Sequence, residues 1–492
     1  MVLPPLFDPS LEPDLGPDHE LLDVNARFIA RLTGAEALGE LAGAYALAGP
    51  GGGDPAEART KALFARAAAR ITARGSHDTG RLRAMGVALR LAGEDDPALR
   101  LAADDVELVG GTTESGADVV LAAERTALLG PETLWARTAV APDRRVRLVV
   151  ETDQQLPFAV ALLTAFGPER VVLCGRFTAT HGTALRALAP FSKAAGIDDW
   201  APSWRLRKEW SGDGTPIHWV RRAADWRPGV PWAGWLPPGE AATLPGEAWG
   251  ECLGAALTVA RLASWAEVTG ADGSRTDLRP VVDLAGAAPL AVELLVGAPG
   301  SSADETGSTA RRLLIGPGPR LAGLSPFRLP TAPGDREPNT WDGVPLNRHA
   351  APDHDLPRWD RFDAPGTLDE AARAAAINGL NAELGSMADL FPGRFACCVI
   401  AQGGTGQRSE PSLWEPSAAV VAEHGPGPDG RGAGSFVVNL RTGSAFRLHP
   451  KLAPVVERLS SGDTAVLDRI SDAVRTKLTG RLVEAGVMRR SQ

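Results

Sequence analysis

Three ionisable side chains occupy positions at which acid–base chemistry is expected in an α/β protein. Asp153 and His218 lie next to predicted strands, and Glu293 alternates with apolar neighbours in AVELLV. An isomerisation or epimerisation needs only two such groups, one to remove a proton and one to return it. Glu293 could point into a barrel, and a surface or paired carboxylate explains its position equally well. The candidate catalytic residues are therefore Asp153, His218 and Glu293.

Motifs for other chemistries are scarce. The sequence contains no G-x-S-x-G, C-x-x-C, P-loop or H-E-x-x-H pattern. The tract RHAAPDHD brings together His349, Asp353, His354 and Asp355, and imidazole and carboxylate are ligands for zinc or iron. Because a proline interrupts this loop and leaves its geometry open, we expect a solvated loop. We predict no metal and no cofactor.

Length and composition narrow the class of protein. A chain of 492 residues is long enough for two to four domains. Its net charge of −9 and the lack of a basic stripe give no support for a nucleic-acid partner. The start MVLPPLFDPSLEPDLGPDHE is acidic and proline-rich, unlike a signal peptide, and no apolar run reaches membrane-spanning length. We therefore expect a cytoplasmic protein without a membrane partner.

Asp153 must be positioned by a strand–helix–strand unit. The run VRLVVETD from Val146, the helical stretch LPFAVALLTAFG and the run VVLCGR from Val171 have this order, and ADVVLAAE from Ala117 is read as a further strand. Parallel strands would bring Thr152 to Gln154 and Arg176 to the carboxyl edge of a sheet, where open α/β sheets form ligand clefts. We predict a helical segment over residues 1–110 and a Rossmann-like region over residues 111–205.

Glu293 belongs to a second strand–turn–helix unit, AVELLVGAPGSSADETGSTARRLL. The strand spans residues 291–296, and Ser301 or Ser302 can cap the helix that follows. Upstream, GEAWGECLGAALTVARLASW has helical character, and LAGLSPFRLP follows downstream. Nine of the 13 tryptophans lie between Trp200 and Trp265. We favour the interpretation that these tryptophans form a hydrophobic core and an interface between domains. The alternative is a groove that holds a peptide, in which Trp232 and Trp235 would be the binding residues.

The GAPG unit and LAGLSPFRLP resemble late elements of the radical SAM barrel of the cobalamin-dependent type. Similarly, TDQQLPFAVALLTAFGPERVVLCGR resembles the Rossmann-like domain that precedes such barrels, without the Asp-x-His-x-x-Gly cobalamin motif. The family holds its cluster with three cysteines in one loop, usually C-x3-C-x2-C. Here Cys252 lies in a predicted helix, Cys174 in an apolar run, and Cys397 and Cys398 in a predicted extended segment. We expect four buried thiols and, over residues 206–345, a partial (βα) barrel-like domain without a cluster.

The end of the chain has the order of a winged helix, βββααα. AAVVAEH, SFVVNL and SAFRLH are predicted strands, and PKLAPVVERLSS, DTAVLDRISDAVRTKL and GRLVEAGVM are predicted helices. The segment FVVNLRTGSAFRLHPKLAPVVERL resembles the PqqD family of leader-peptide recognition modules. The resemblance implies that a leader adds as a strand to the sheet. Its groove would be formed by two short sets of residues: Phe446, Arg447 and Leu448 on the third strand, and Arg481, Leu482 and Glu484 on the third helix.

These elements together predict an α/β protein with a Rossmann-like region, a partial barrel, a linker or lid over residues 346–415 and a winged helix over residues 416–492. The resemblance implies a protein that matures a ribosomally made, post-translationally modified peptide (RiPP). Its expected partner is the precursor peptide, bound through the leader, and a maturation enzyme is a further candidate partner. Whether the chain is a scaffold or a cofactor-independent acid–base epimerase or isomerase stays open. A DNA-binding winged helix is the structural rival, although Arg481 is the only basic residue of the third helix before Arg489 and Arg490.

Overall fold

The computed structural model of the chain describes residues 1–5, 8–15, 19–47, 54–103, 105–211, 214–285, 290–316, 318–331, 340–349, 354–385, 390–404, 413–423 and 434–488, with the backbone alone for residues 402–404. The protein is of the mixed α/β type. Its α-helices are α1 (Val24–Thr33), α2 (Ala35–Leu47), α3 (Pro55–Ala73), α4 (Thr79–Gly93), α5 (Gly116–Arg125), α6 (Gly130–Ala139), α7 (Leu156–Phe166), α8 (Arg176–Ala187), α9 (Pro238–Thr243), α10 (Gly246–Gly250), α11 (Arg279–Leu284), α12 (Ala303–Ile315), α13 (Glu370–Leu384), α14 (Gly393–Gly404), α15 (Ala453–Ser460) and α16 (Asp472–Glu484).

The strands are numbered in the same way. They are β1 (Val2–Leu3), β2 (Leu11–Asp14), β3 (Leu22–Asp23), β4 (Leu99–Leu101), β5 (Val106–Leu108), β6 (Val146–Val149), β7 (Val171–Cys174), β8 (Gly196–Ile197), β9 (Ser203–Leu206), β10 (His218–Val220), β11 (Trp232–Leu236), β12 (Cys252–Val259), β13 (Arg261–Ser264), β14 (Glu267–Thr269), β15 (Arg275–Thr276), β16 (Leu290–Val296), β17 (Arg320–Pro326), β18 (Leu329–Pro330), β19 (Thr340–Trp341), β20 (Val344–Pro345), β21 (Asn347–His349), β22 (Trp359–Asp363), β23 (Ala418–Glu423), β24 (Gly434–Asn439) and β25 (Ser444–Arg447).

The first sheet is parallel throughout and has the order β3-β1-β6-β7-β8. Helix α7 connects β6 to β7 and buries most of its surface against the sheet, because its sequence is apolar nearly all round. The predicted strands at Val146 and Val171 and the helix between them are confirmed. Strand β1 also belongs to this sheet, so the segment expected to be helical over residues 1–110 contributes to it as well.

The second sheet has the order β17-β16-β12-β11-β10-β9-β2. Its first five strands are parallel, and their order in the sheet follows their order in the chain. Helices α9 to α13 share a core with one face, which we call the outer face. Helix α14 packs on the other face, where Cys397, Cys398 and Ala401 meet Ala233 and Ala256.

Helix α14 approaches this sheet backbone to backbone. A Cβ atom at Gly254 would lie 2.6 Å from the carbonyl oxygen of Cys397 and 2.7 Å from the nitrogen of Ala401. Only glycine permits so short a distance. Cys397 and Cys398 are therefore helical and enclosed, and the prediction of an extended segment for them is wrong. The region expected to be a linker over residues 346–415 includes this helix together with α13.

Two further secondary-structure predictions are wrong. ADVVLAAE belongs to helix α5. Ser115 stabilises the start of this helix, because its hydroxyl accepts a hydrogen bond from the N–H of Asp118. GEAWGECLGAALTVARLASW begins as the short helix α10 and continues as β12 and β13. The residues of β12 are buried on both faces, so the alternation that normally marks a strand is missing from its sequence. The strand at Ala291, the helix capped by Ser302 and the strand at Leu321 are confirmed.

The third core joins the two ends of the chain. Strands β23, β24 and β25 form an antiparallel sheet in that order. Helices α2, α3 and α4 cover one of its faces, on which Val421, Phe436 and Val438 are buried. Helices α15 and α16 cover the other face. The second predicted helix is divided between a 3₁₀ turn, Thr464–Arg469, and the start of α16, which also contains the third. Among the described residues, no helix has both the length and the apolarity needed to cross a membrane.

Candidate functional site

The predicted peptide-binding residues of the C-terminal sheet lie on β25 and α16. Phe446 is half-buried, and the guanidinium of Arg481 stands 5.9 Å from the centre of its ring. Leu448 and Leu482 are buried in the core beneath, whereas Arg481 and Glu484 are exposed on α16. Strand β25 and α16 therefore present an aromatic ring, a cation and a carboxylate above an apolar floor.

One edge of β25 has no partner strand in the part of the chain that the structure describes. The N–H of Leu448 donates to the carbonyl of Ser435 on β24. Phe446 lies two residues earlier, opposite Val437, so its N–H and C=O also face β24. Because ladder bonds alternate along an antiparallel strand, Ala445 and Arg447 direct their N–H and C=O groups away from β24. No strand of the described residues pairs with that side. An edge of this kind can accept a further strand.

The opposite edge of this sheet is closed. The carbonyls of Ala418, Val420 and Ala422 point outward from β23, and each accepts a hydrogen bond from an arginine of the α3 region. The donors, Arg74, Arg70 and Arg66, lie 2.7, 2.7 and 3.3 Å from these oxygens. Their spacing of four residues places them on one face of the helix. On the β25 edge, by contrast, no strand of the described residues is paired, so a further strand can add there.

Sequence reasoning missed these three arginines. Their signal is present in ALFARAAARITARG, where arginine recurs at every fourth position of a helical pattern. A row of cations at this spacing is typical of a solvated helix face. Its role as an edge cover depends on β23, which is about 350 residues further along the chain.

Glu293 points towards α14 from the middle of β16. Its carboxylate accepts hydrogen bonds from Trp235 Nε1 at 2.8 Å, Thr258 Oγ1 at 3.3 Å and Ser325 Oγ at 2.5 Å. These four residues lie on four neighbouring parallel strands, and we call them the mouth cluster because Trp235, Thr258 and Ser325 are near the carboxyl ends of their strands. Ligand sites of α/β barrels occur at this end. The start of α14 closes on the cluster, since a Cβ at Gly393 would lie 2.8 Å from Glu293 Oε2.

The three predicted catalytic residues do not meet. His218 shares its side of β10 with Val220, which packs in the outer core, whereas Glu293 is on the α14 face. The His218 ring donates from Nε2 to the carbonyl of Asp225 at 2.8 Å, and burial lowers its pKa. Asp153 is held elsewhere, by Thr113 Oγ1 at 2.6 Å and Arg358 Nη1 at 2.7 Å. The sheet between His218 and Glu293 prevents them from sharing one substrate.

The tryptophan-rich region is largely core. Five of its nine tryptophans are at most 3% exposed, namely Trp204, Trp210, Trp219, Trp232 and Trp249. Trp232 donates to the carbonyl of Ala248 at 2.7 Å and packs edge-on against Trp249, so it offers no surface to a peptide. Trp235 is different, because part of its indole is accessible in the mouth cluster.

The residues of RHAAPDHD are directed to separate partners. His349 Nε2 is 2.7 Å from Asp363 Oδ2, and His354 Nδ1 is 2.9 Å from Glu114 Oε2. Asp355 accepts a hydrogen bond from the N–H of Gly116 at the start of α5, and Asp353 lies outside the described residues. Within the described part of the chain, no group of three His, Cys, Asp or Glu residues is arranged for a metal ion.

The four cysteines are free and buried, as predicted. Burial raises the pKa of the thiols of Cys174 and Cys252 to about 12 and that of Cys397 well above its usual range. Thiols of this kind are poor nucleophiles at neutral pH. Their separate positions in β7, β12 and α14 place no three of them in one loop.

No protein-family model matches this chain, and no curated protein or solved structure is significantly similar to it. Any functional inference therefore depends on the geometry of the chain and on the resemblance of its short motifs.

Proposed function

We propose that this protein binds a ribosomal precursor peptide through its leader, and that it presents or modifies the core of the peptide without radical SAM chemistry. The leader adds as a strand to β25. The observation that carries this proposal is the asymmetry of the C-terminal sheet: arginines cover the β23 edge, whereas no strand among the described residues pairs with the outer edge of β25. Strand addition at such an edge gives affinity through backbone hydrogen bonds.

The side chains beside this edge supply selectivity. Phe446 and the buried Leu482 form an apolar floor for alternate side chains of the leader. Arg481 can pair with an acidic residue of the leader, which steers association more than it adds affinity. Leu448 holds the end of β25 in the core, and Glu484 completes the polar rim on α16.

The finer fold assignments belong to the same proposal. Counting only its own strands, the first sheet has the order 2-1-3-4-5, which is typical of doubly wound, Rossmann-like domains. The five parallel strands of the second sheet follow chain order, as in a partial (βα) barrel. Strands β23 to β25 with α15 and α16 are consistent with a winged helix of the PqqD type.

The alternatives receive less support. An acid–base epimerase needs two converging groups, and Asp153, His218 and Glu293 are held apart. A DNA-binding winged helix needs cations for phosphates along its last helix. On α16, Arg475 is already paired with Asp468 and Asp472. We therefore favour a peptide-binding scaffold that presents the precursor to a partner maturation enzyme.

The test uses the full chain, because α2 to α4 share a core with the C-terminal sheet. Binding of a labelled leader half of the precursor encoded beside this protein is measured by fluorescence anisotropy. Ala445→Pro removes an outward N–H of β25 and leaves the β24 ladder intact, so we expect about five- to tenfold weaker binding, the loss of one hydrogen bond. Ala422→Pro is the matched control, since it removes an outward N–H from the covered edge.

A second variant tests the floor. Phe446→Asp should weaken leader binding by about 2 kcal/mol or more, as expected for a buried anchor. The core half of the precursor should not bind at this edge in any variant. Equal leader affinity in Ala445→Pro and wild type would contradict strand addition. If the protein ignores the leader and instead retards duplex DNA at moderate salt, the C-terminal sheet belongs to a nucleic-acid-binding domain.

A further inference from the structure

A groove with a volume of about 970 Å³ opens at the amino ends of β1, β6 and β7 in the first sheet. Leu22, Val140 and Val172 give it an apolar lining that is partly accessible. This end of the sheet lies opposite the carboxyl edge, at which open α/β sheets form clefts for small ligands. The groove is therefore not the ligand cleft that this architecture usually provides.

The crevice between the carboxyl ends of β1 and β6 is filled by the chain itself. The side chain of Gln155 is buried there, where it accepts a hydrogen bond from the N–H of Glu151 at 2.7 Å and donates one to the carbonyl of Pro4 at 3.0 Å. β1 and β6 are the neighbours at which the strand order of the sheet reverses, the usual position of a bound cofactor. The groove at the amino end, rather than this filled crevice, is therefore where the first sheet offers space to a partner.

The groove carries an excess of cations in a protein whose net charge is −9. Three arginines line it, Arg144, Arg145 and Arg147. The carboxylates that line it in the described part of the chain are Glu20 and Asp198, and Asp198 forms an ion pair with Arg147 at 3.5 Å. Arg144 and Arg145 are exposed, and their guanidinium groups form no hydrogen bond or ion pair with the described residues. An acidic partner could therefore neutralise these two arginines without displacing a contact.

The arginines are presented from a backbone that is held in place. Arg170 donates hydrogen bonds to the carbonyls of Ala141 and Arg144 at 2.5 and 2.9 Å, and these bonds fix the loop between α6 and β6. The guanidinium of Arg147 stands 5.4 Å from the centre of the Trp200 ring. A surface that is ordered before binding loses less conformational entropy on association.

We propose that this groove binds an acidic peptide segment of a partner protein, with carboxylates at Arg144 and Arg145 and apolar side chains against Val140 and Val172. A peptide of this kind offers both the charge and the apolar groups that the lining requires. A nucleic acid fits less well, because it binds through rows of cations along its phosphates and has no counterpart for an apolar lining. The groove is separate from the β25 edge, and this inference does not depend on leader binding.

The experiment measures fluorescence anisotropy of four labelled probes with the full chain. They are a peptide in which glutamate alternates with leucine, the same peptide with lysine for glutamate, the same peptide with serine for leucine, and single-stranded DNA. We expect saturable binding of the glutamate–leucine peptide, weaker binding when either residue type is replaced, and loss of affinity as salt screens the charges. If the glutamate–leucine peptide does not bind, or if DNA binds more tightly than the peptide, the proposal is wrong.

Variants show whether the peptide occupies this groove. Arg144→Glu plus Arg145→Glu should weaken its binding at least about tenfold, because attraction is replaced by repulsion. Val140→Asp, which interrupts the apolar lining, should also weaken it. Arg90→Glu plus Arg125→Glu is the matched control, since it changes the net charge equally at exposed arginines that do not line the groove. Equal loss of affinity in the two double variants would show a response to net charge alone and would overturn the proposal.

Discussion

The contact between α14 and β12 predicts a large effect from a single methyl group. In Gly254→Ala the new Cβ would lie 2.6 Å from the Cys397 carbonyl oxygen and 2.7 Å from the Ala401 nitrogen. Because heavy atoms prefer a separation of about 3.5 Å, α14 must retreat by roughly 0.9 Å. Overpacking costs about 1–3 kcal/mol, and both neighbours are backbone atoms that cannot rotate away. We therefore take the upper end of this range, about 3 kcal/mol. After the entropic gain of about 0.4–1 kcal/mol from replacing glycine, we expect a net loss of about 2 kcal/mol.

The assay follows the buried thiol of Cys397. Its rate of labelling by iodoacetamide, resolved by mass spectrometry, reports how often α14 opens. A loss of about 2 kcal/mol should raise this rate roughly 30-fold. Gly250→Ala is the matched control, since a Cβ there meets no atom within 4 Å. If Gly254→Ala labels no faster than Gly250→Ala, then α14 does not pack on β12 as described.

Three further predictions concern iron, metal and pH. Protein purified anaerobically should contain no iron–sulfur cluster, because no three cysteines share a loop, and about four irons per chain would contradict this. Metal analysis should find no stoichiometric zinc or iron; one metal per chain that is lost in a His349→Ala plus His354→Ala variant would show a site at RHAAPDHD. Burial lowers the pKa of His218 below its ordinary value of 6.5, so the unfolded chain binds more protons as the pH falls through 6.5, and stability is lost on acidification. In His218→Asn the decrease in Tm between pH 7.5 and 5.5 should be smaller than in wild type, and an unchanged decrease would contradict the assignment.

Local patterns predict part of the fold well. Strand β16 and helix α12 follow from an apolar run, a glycine turn and the Ser302 capping box, which are all set within about 25 residues. β12 does not follow from its sequence, because burial on both faces gives it no strand period. Helix α14 is missed for a similar reason. Its enclosure between the sheet and neighbouring segments depends on glycines at positions 254 and 323, far away in the chain.

The candidate sites show the same limit. The motif around Phe446 and the helical position of Arg481 could be read locally, and the structure brings the two side chains together. The covered edge of β23 could not be anticipated. It arises from segments that are about 350 residues apart and meet only through tertiary packing. The sequence therefore predicts the chemistry of a single side chain better than it predicts which side chains come together in the folded protein.

Helix α4 connects the C-terminal sheet, at whose β25 edge we propose leader binding, with the elements around the mouth cluster. On one side it packs in the core of the C-terminal sheet, and Gly80 lies so close to Pro416 that a Cβ would be 2.4 Å from the Pro416 carbonyl oxygen. On the other side, Arg83 stacks on Phe391, and Leu82 shares a core with Phe395 of α14. Because these contacts are direct, the β25 edge is not tethered loosely to the mouth cluster. A leader bound at β25 would therefore be held in a fixed orientation relative to the mouth cluster, which is what a protein that presents a peptide requires.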